Sequence, residues 1–284
     1  MTPLPPPSTR QRRLCVCADD FGLDAGINKA VLMLLEQGVV TATSCMVTRD
    51  SWVPGVRVLR DVPPGATDVG LHLDLTNVDG SHRESSLKQL VRQAYLGQLD
   101  AVRLAGRIAE QLDRFEQAMG RMPDYVDGHR HVHQLPGVRE ALVEVMIDRY
   151  GPRPPWLRST RPGGMAASTV IKQQLIYGLG GRRLHSAAQM HSVPISRRLL
   201  GVYDFSPTPD RYLGLLEHWV TNCRDGDVLM CHPALTTSSA DPIAAARAQE
   251  FFAVRKLQRR MHVDGHWVDL MPLSWHVQRS GLAG

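Results

Sequence analysis

Short apolar runs alternate along the chain with longer stretches in which apolar residues recur every three or four positions. The first apolar run, at residues 14–18, has the length and the polar flanks of a buried β-strand. The next stretch, residues 24–37, has one apolar face, and Asp24 is placed to cap a helix at its start and Gly38 to end it. The pattern therefore predicts a strand followed by an amphipathic helix.

The same alternation continues to the C-terminal part of the chain. Because strands that alternate with helices form parallel sheets, it predicts an α/β fold. No repeat or internal linker divides the chain, so we expect a single folded domain at residues 14–284 after a Pro-rich, disordered tail at residues 1–13. Further strands are predicted at 39–47, 68–75, 125–129, 155–159, 201–205, 227–232 and 267–270, and further helices around Trp52 and at about 86–119, 137–150, 209–222 and 242–260.

Composition narrows the classes of partner. The chain has 284 residues, 43% of them hydrophobic, which is enough for a large core, and its formal net charge is +5. Only four of the 33 basic residues are lysine, and the arginines are scattered, with no aromatic residues interleaved in a basic stripe. The charge therefore does not favour a nucleic-acid partner.

Cysteine usage and hydropathy indicate the compartment. The five cysteines are an odd number with no disulfide-framework spacing, which favours a reducing environment. No apolar run approaches the roughly 20 residues needed to span a bilayer, and the first thirteen residues lack the apolar segment of a signal peptide. We expect a cytoplasmic protein without a membrane span, and a homodimer would be compatible with this composition.

Polar residues that need an explanation fall at the ends of the predicted strands. The carboxyl ends of parallel strands meet at one face of a (β/α) barrel, where active sites form. A carboxylate and two histidines from three strand ends are a usual ligand set for a catalytic divalent metal. The residues are Asp19 and Asp20 after the first strand, His72 in the third, Asp127 and His129 after the fourth, Arg158 after the next, and His232 after the DVLMC strand.

Each of these residues alone also has a purely structural explanation. Asp20 could cap the following helix, His72 could be a hydrogen-bonded core histidine, and His232 could simply end a strand. Their coincidence at one predicted face favours the metal site over these separate explanations.

Three histidines, His129, His131 and His133, alternate after the fourth strand. On an extended chain they would share one face, so they could be ligands in part or a chance feature of a loop.

The adjacent carboxylates Asp19 and Asp20 suggest a division of labour. If Asp20 binds a cation, the positive charge offsets their repulsion, and Asp19 can stay ionised and accept a proton from water. Arg158 could orient Asp19, and His232 could protonate a leaving group. A metal ligand, a base and an acid in this arrangement are suited to metal-assisted hydrolysis of an amide or an ester.

Four motifs in order resemble those of a known family, the YdjC-like carbohydrate deacetylases. That family includes the chitooligosaccharide deacetylases and a branch associated with hopanoid biosynthesis. The motifs are ADDFG at 18–22 with the following Asn28, GLHLDLT at 70–76, DGHRHVH at 127–133 followed by Pro136, and MCHPA at 230–234.

The resemblance implies a distorted TIM-like barrel and the removal of an acetyl group from an N-acetylated sugar. It implies one divalent ion, usually described as Mg²⁺, with Zn²⁺ in related deacetylases. It also implies specific residue roles, which are metal binding by Asp20, His72 and His129, a catalytic base at Asp19, a general acid at His232, and supporting or substrate-binding positions at Arg158, His131 and His133.

Two segments depart from the family pattern. NVDGSHRESS at 77–86 stands where the family often has Gly-x-Pro, so the chain leaves the sugar open, whether an oligosaccharide or a glycolipid. The stretch 161–200 has no counterpart that we can align. Two rival hypotheses remain at this point, a metal-dependent phosphoester hydrolase and a non-catalytic sugar-binding barrel.

Overall fold

The computed structural model describes residues 11–76, 87–163, 169–206, 208–238 and 241–275. Within them strands and helices alternate, as the sequence pattern predicts. The strands are β1 Gln11–Phe21, β2 Ala42–Cys45, β3 Asp68–Leu73, β4 Tyr125–Gly128, β5 Trp156–Leu157, β6 Leu199–Leu200, β7 Asp227–Cys231, β8 Arg260–Val263 and β9 His266–Leu270. The helices are α1 Ala25–Glu36, α2 Trp52–Leu59, α3 Leu87–Tyr95, α4 Ala101–Met119, α5 Val138–Tyr150, α6 Val170–Gly178, α7 Gly181–Met190, α8 Pro209–Thr221 and α9 Ala244–Val254, with a 3₁₀ helix at His129–Gln134.

The strands form a parallel sheet in the order β5-β4-β3-β2-β1-β7-β6. β9 adds to the N-terminal part of β1 in parallel and pairs with β8 in an antiparallel hairpin. The paired path is open between β5 and β6, but isolated parallel bridges from Leu157 to Ile195 and from Pro162 to Leu199 connect its two ends. The predicted α/β fold is confirmed, and its shape is a distorted (β/α) barrel.

The helices cover the outside of this sheet and bury their apolar faces against it. In α1 the buried face includes Ile27, Val31 and Leu34, and the side chain of Asp24 accepts a hydrogen bond of 2.7 Å from the Gly26 N–H. Gly38 follows the helix with φ +70°, a backbone conformation that favours glycine. Both predicted ends of the first helix are confirmed.

Two predicted helices have different bounds. The region 86–119 contains two helices, because Gly97 has φ +65° and Asp100 caps a new helix by accepting from the Arg103 N–H at 3.0 Å. The helix predicted at 242–260 ends at Val254 and is followed by the β8–β9 hairpin. The hairpin turn is Asp264-Gly265, with φ of +42° and +77°. This dipeptide favours such turns, and it is a signal for the hairpin that the predicted elements did not include.

The strand predicted at 201–205 is wrong. The strand is Leu199–Leu200, and the chain then leaves the sheet at Gly201, with φ +89°, and at Phe205, with φ +58°. An apolar run alone does not reveal a left-handed backbone. The strand was therefore predicted too far toward the C-terminus.

The disordered tail predicted at 1–13 is three residues too long. β1 begins at Gln11, which pairs with Trp267 of β9, so residues 11–13 are ordered by a strand that lies more than 250 positions away in sequence. The rest of the predicted tail lies outside the described residues.

Candidate active site and metal centre

A cavity of about 660 Å³ lies at the carboxyl ends of the strands. Seven of the eight predicted site residues line it, and His133 lies behind its wall. The seven are Asp19, Asp20, His72, His129, His131, Arg158 and His232. The site therefore forms at the face where the alternation of strands and helices predicts it.

A β-bulge turns both carboxylates of the Asp19-Asp20 pair into this cavity. In a regular strand adjacent side chains point to opposite faces. Here Ala18 pairs with Thr43 and Phe21 with Cys45, so β1 carries one extra residue relative to β2, and Asp20 has φ +69°. Aspartate tolerates this left-handed conformation better than most residues do. The bulge lets two neighbours in sequence serve one site.

Asp20, His72 and His129 converge on one point. Asp20 Oδ1 lies 3.1 Å from His129 Nδ1 and 3.4 Å from His72 Nε2, and one ligand atom of each residue lies within 4.8 Å of the others. Asp20 and His72 are buried, and His129 is half-buried on the cavity side. A carboxylate oxygen and two imidazole nitrogens at this spacing can hold a divalent cation.

His72 is oriented from behind by Asp127, whose role the sequence did not indicate. Asp127 Oδ1 lies 2.6 Å from His72 Nδ1, which leaves Nε2 to face the cavity. Burial lowers the pKa of His72, but Asp127 and then Asp19 raise it more, to about 10. A signal was present, because Asp127 and His129 stand in one motif at the same strand end.

Asp19 is held by a fully buried arginine. Arg158 Nη1 donates to Asp19 Oδ1 at 2.6 Å and Nη2 donates to Oδ2 at 2.8 Å, and Nη1 also lies 2.9 Å from Asp127 Oδ2. Burial by itself would raise the pKa of Asp19. Arg158 and His72 lower this pKa by more than burial raises it, so the net pKa lies below the usual range for an aspartate. The expected pairing of Arg158 with Asp19 is therefore present.

A second group of metal-binding residue types, Cys17, Asp19 and Asp127, lies deeper in the barrel. The Arg158 guanidinium bonds both of its carboxylates and lies 3.6 Å from Cys17 Sγ. Because a cation already fills this space, the second group is an ion-pair network and not a second metal site.

His232 follows β7 and lines the same cavity beside Asp19. Its Nε2 is 4.0 Å from Asp19 Oδ2, and its Nδ1 is 3.6 Å from Glu250 Oε2, which also accepts the His232 backbone N–H. The Tyr203 hydroxyl donates to Glu250 Oε1 at 2.7 Å. Burial lowers the pKa of His232, but Glu250 and Asp19 raise it to a net value above the usual range.

Helix α9 supplies two site residues that sequence reasoning missed, Arg247 and Glu250. Arg247 Nη2 donates to Asp20 Oδ2 at 2.7 Å. Both residues are buried, three positions apart, on the same helix face as Phe251 and Val254. Charged residues within an apolar helical stripe are a signal that could have identified them.

The three alternating histidines do not share a face. They lie in a tight 3₁₀ turn in which Arg130 and His131 have φ of +53° and +60°, so the chain is not extended here and the condition for a shared face is not met. His129 and His131 reach the cavity, whereas His133 Nε2 donates to the Arg158 backbone carbonyl at 2.9 Å. Burial lowers the pKa of His133 to about 4, so this histidine is neutral and supports the backbone directly after β5, where Arg158 lies.

The unaligned stretch 161–200 forms part of the cavity wall. Its helix α6 contributes Lys172 and Ile176, and Lys172 Nζ lies 4.4 Å from the centre of the Phe205 ring. That ring meets the His232 imidazole edge-on at 5.2 Å. The other departure from the family pattern, residues 77–86, lies outside the described residues.

Comparisons with known proteins agree with the motifs. The family model described as YdjC-like protein matches residues 13–265. A chitooligosaccharide deacetylase of Escherichia fergusonii is 34% identical over 135 residues, and one of Citrobacter koseri is 35% identical over the same length. Each match spans 45% of this chain and 53% of the relative, so this chain spans about half the length of the relatives it matches.

Solved structures share the fold at low sequence identity. A proposed cellobiose-phosphate cleavage protein of Enterococcus faecalis has a TM-score of 0.61 at 19% identity, over 86% of this chain and 91% of that one. An uncharacterized protein of Agrobacterium tumefaciens has a TM-score of 0.50 at 15% identity, over 96% of this chain and 92% of that one.

None of the described helices is long and apolar enough to cross a bilayer.

Proposed function

The chain belongs to the YdjC-like protein family, and from this premise we propose that it is a metal-dependent hydrolase that removes the acetyl group from an N-acetylated amino sugar. The relatives named chitooligosaccharide deacetylase support the reaction class. Because they align over about half of their length, the sugar itself, oligosaccharide or glycolipid, is part of the proposal.

One observation carries this proposal. A three-residue ligand set, Asp20, His72 and His129, opens into the same cavity as two groups suited to move protons, Asp19 and His232. A sugar-binding protein without activity has no use for a carboxylate and an imidazole 4.0 Å apart beside a metal site. The combination is that of a hydrolase.

The ligand set fits a divalent cation. Asp20 Oδ1, His72 Nε2 and His129 Nδ1 would hold it, and such a cation supplies a Lewis acid that polarises a carbonyl and acidifies water. Two imidazoles with one carboxylate are typical of Zn²⁺, whereas Mg²⁺ prefers oxygen ligands. The donor set therefore favours Zn²⁺, while the family resemblance implies Mg²⁺.

Asp19 would act as the general base. Its bidentate pairing with Arg158 keeps the carboxylate ionised and fixes its direction toward the cavity. The same pairing weakens it as a base, so its contribution rests on position and on the acidity of the water that it deprotonates.

His232 would act as the general acid. Hydrolysis of an acetamide expels an amine, which leaves poorly unless it is protonated. Glu250 supports the imidazolium form from the Nδ1 side, so the proton on Nε2 points into the cavity toward Asp19. A substrate nitrogen between these two groups would receive that proton as the C–N bond breaks.

The rival phosphoester hydrolase is disfavoured by the deeper group of residues. A two-metal phosphatase needs a second cation a few ångströms from the first. In the described part of the chain the second candidate group is already neutralised by Arg158.

An acetate-release screen of N-acetylated glycans and glycolipids, with Zn²⁺- or Mg²⁺-reconstituted protein, tests the proposal. We expect acetate from at least one amino sugar. His72→Ala and His129→Ala should lose both bound metal and activity while they stay folded. Full metal occupancy in both variants would show that the ligand set is wrong. Phosphate release from a sugar phosphate added to the screen, with no acetate from any N-acetyl sugar, would favour the rival activity.

A further inference from the structure

The two oxygens of Asp20 face opposite partners. Oδ1 faces the imidazoles of His129 and His72, at 3.1 and 3.4 Å. Oδ2 accepts a hydrogen bond from Arg247 Nη2 at 2.7 Å. A ligand of the proposed cation is therefore already paired with a buried cation of the protein.

Arg247 is fixed in this position. Its Nε donates to Asp241 at 2.6 Å, its side chain is 97% buried, and its helix begins ten residues after the last of the sequence motifs. Neither the motifs nor the three-residue ligand set includes it. The guanidinium cannot swing into solvent without breaking two ion pairs, so it stays beside Asp20.

A charge in this place has two opposing effects on a divalent cation. By holding Oδ2 it orients Asp20, and a hydrogen bond that orients a ligand usually strengthens metal binding. Its positive charge repels the incoming cation, and in a buried site this repulsion acts over several ångströms at reduced dielectric. A neutral donor can also supply the orienting hydrogen bond, whereas the repulsion between a unit charge and a nearby dication is specific to the guanidinium and acts even in water. Repulsion should win.

We propose that Arg247 is a positioning residue that weakens cation binding at Asp20 and stands in for the cation when the site is empty. It leaves one oxygen of Asp20 free to bind a cation, and it compensates the charge of this buried carboxylate at Oδ2, the oxygen that the two imidazoles do not face. The carboxylate then donates less charge to the cation, which keeps the cation a strong Lewis acid. The inference rests on the proposed metal site and goes beyond it in assigning a role to a residue of α9.

Two substitutions separate the charge from the hydrogen bond. Arg247→Gln removes the charge and keeps a donor, and Arg247→Lys keeps the charge and removes the forked geometry. Zn²⁺ is titrated calorimetrically into metal-depleted protein, with Arg255→Gln on the exposed end of the same helix as the matched control. The His72→Ala protein lacks one of the three proposed ligands, so its titration measures how much Zn²⁺ binds elsewhere on the protein.

We expect Arg247→Gln to bind Zn²⁺ about tenfold more tightly or better, with Arg247→Lys within about threefold of the unaltered protein and Arg255→Gln unchanged. Equal or weaker binding by Arg247→Gln would overturn the inference and assign Arg247 the orienting role alone. Failure of the unaltered protein to bind Zn²⁺ beyond the His72→Ala level would overturn the metal site and this inference with it.

The stability of the metal-depleted protein gives a second measurement. Because a bound cation replaces the missing guanidinium, Zn²⁺ should raise the thermal midpoint of Arg247→Gln by more than it raises that of the unaltered protein. If the metal-depleted variant is unfolded, Zn²⁺ should restore its fold, and absence of this rescue contradicts the proposal.

Discussion

Two buried carboxylates at opposite ends of the sheet have opposite electrostatic surroundings. Asp19 ends β1 at the cavity and is bound by the Arg158 guanidinium, which contributes to a pKa below the usual range. Asp68 begins β3 at the other end and accepts hydrogen bonds from the hydroxyl and the backbone N–H of Ser274. Burial raises the pKa of Asp68 to about 6. The hydrogen bonds from Ser274 lower this pKa, but by less than burial raises it.

The difference shows that burial alone does not make a carboxylate suited to catalysis. Asp68 and Asp19 are equally removed from solvent, with at most 2% of the side chain exposed. A full counter-charge keeps Asp19 ionised, as its proposed role as a base requires, whereas neutral donors leave Asp68 partly protonated near neutrality. Asp68 fixes the chain after β9 to the barrel. Four expected effects test this contrast.

The largest expected effect is on turnover. Asp19→Asn should keep bound metal and lose about 10²–10⁴-fold in kcat, because it removes a general base without removing a ligand. Asp68→Asn, the matched change at the other end of the sheet, should leave kcat within about threefold of the unaltered protein, since it touches no group in the cavity. Metal analysis and steady-state kinetics of both variants check this. Equal loss of metal and rate in Asp19→Asn would make Asp19 a ligand.

The second effect is on stability. Arg158→Met leaves Asp19 and Asp127 as buried carboxylates without their partner, and removal of one partner of a buried ion pair costs about 3–5 kcal/mol. Arg149→Met breaks the pairs of Arg149 with Glu116 and Asp113 on the outer helices and should cost about 1 kcal/mol or less. Chemical denaturation measures both. Similar losses in the two variants would show that the Arg158 network is not electrostatically special.

The third effect is a pH dependence that belongs to Asp68. Its pKa is raised from 3.8 to about 6 in the folded protein, so the folded state binds the proton more tightly than the unfolded state does. The resulting stabilisation is complete below about pH 4 and is lost as pH rises through 6, and it amounts to about 3 kcal/mol for a shift of this size.

Asp68→Asn should remove this dependence. The free energy of unfolding of the variant relative to the unaltered protein should therefore rise between pH 4 and pH 7, as followed by denaturation at several pH values. An unchanged difference across this range would mean that Asp68 is ionised in the folded state in the same way as Asp19.

The smallest expected effect is a difference between substrates. His232→Ala should slow deacetylation of an N-acetyl sugar about 10–100-fold more than hydrolysis of an activated aryl acetate, because an aryl alkoxide leaves without a proton. In the unaltered protein the alkaline limb of the kcat profile should lie above the ordinary histidine pKa of about 6.5, and Glu250→Gln should move it down. Equal slowing of the two substrates would assign His232 to binding or to oxyanion stabilisation.

Sequence periodicity was sufficient for the alternation of strands and helices and for most of the residues at the carboxyl edge of the sheet. Asp20, His72 and His129 could be placed together because parallel strands end at one face, whatever their order in the sheet. Bounds were predicted less well where a left-handed residue ends an element, as at Gly97 and Phe205.

The sequence by itself therefore determined which strand ends carry the candidate site residues, because that depends on local periodicity and on residue types a few positions apart. The tertiary structure alone decided that a bulge turns Asp19 and Asp20 to one side, and that Arg247 and Glu250 of α9 reach Asp20 and His232. These contacts join residues 18 to 227 positions apart, and they depend on how a helix packs across the barrel. Such packing is set by the sum of many weak apolar contacts, and no short stretch of sequence contains that sum.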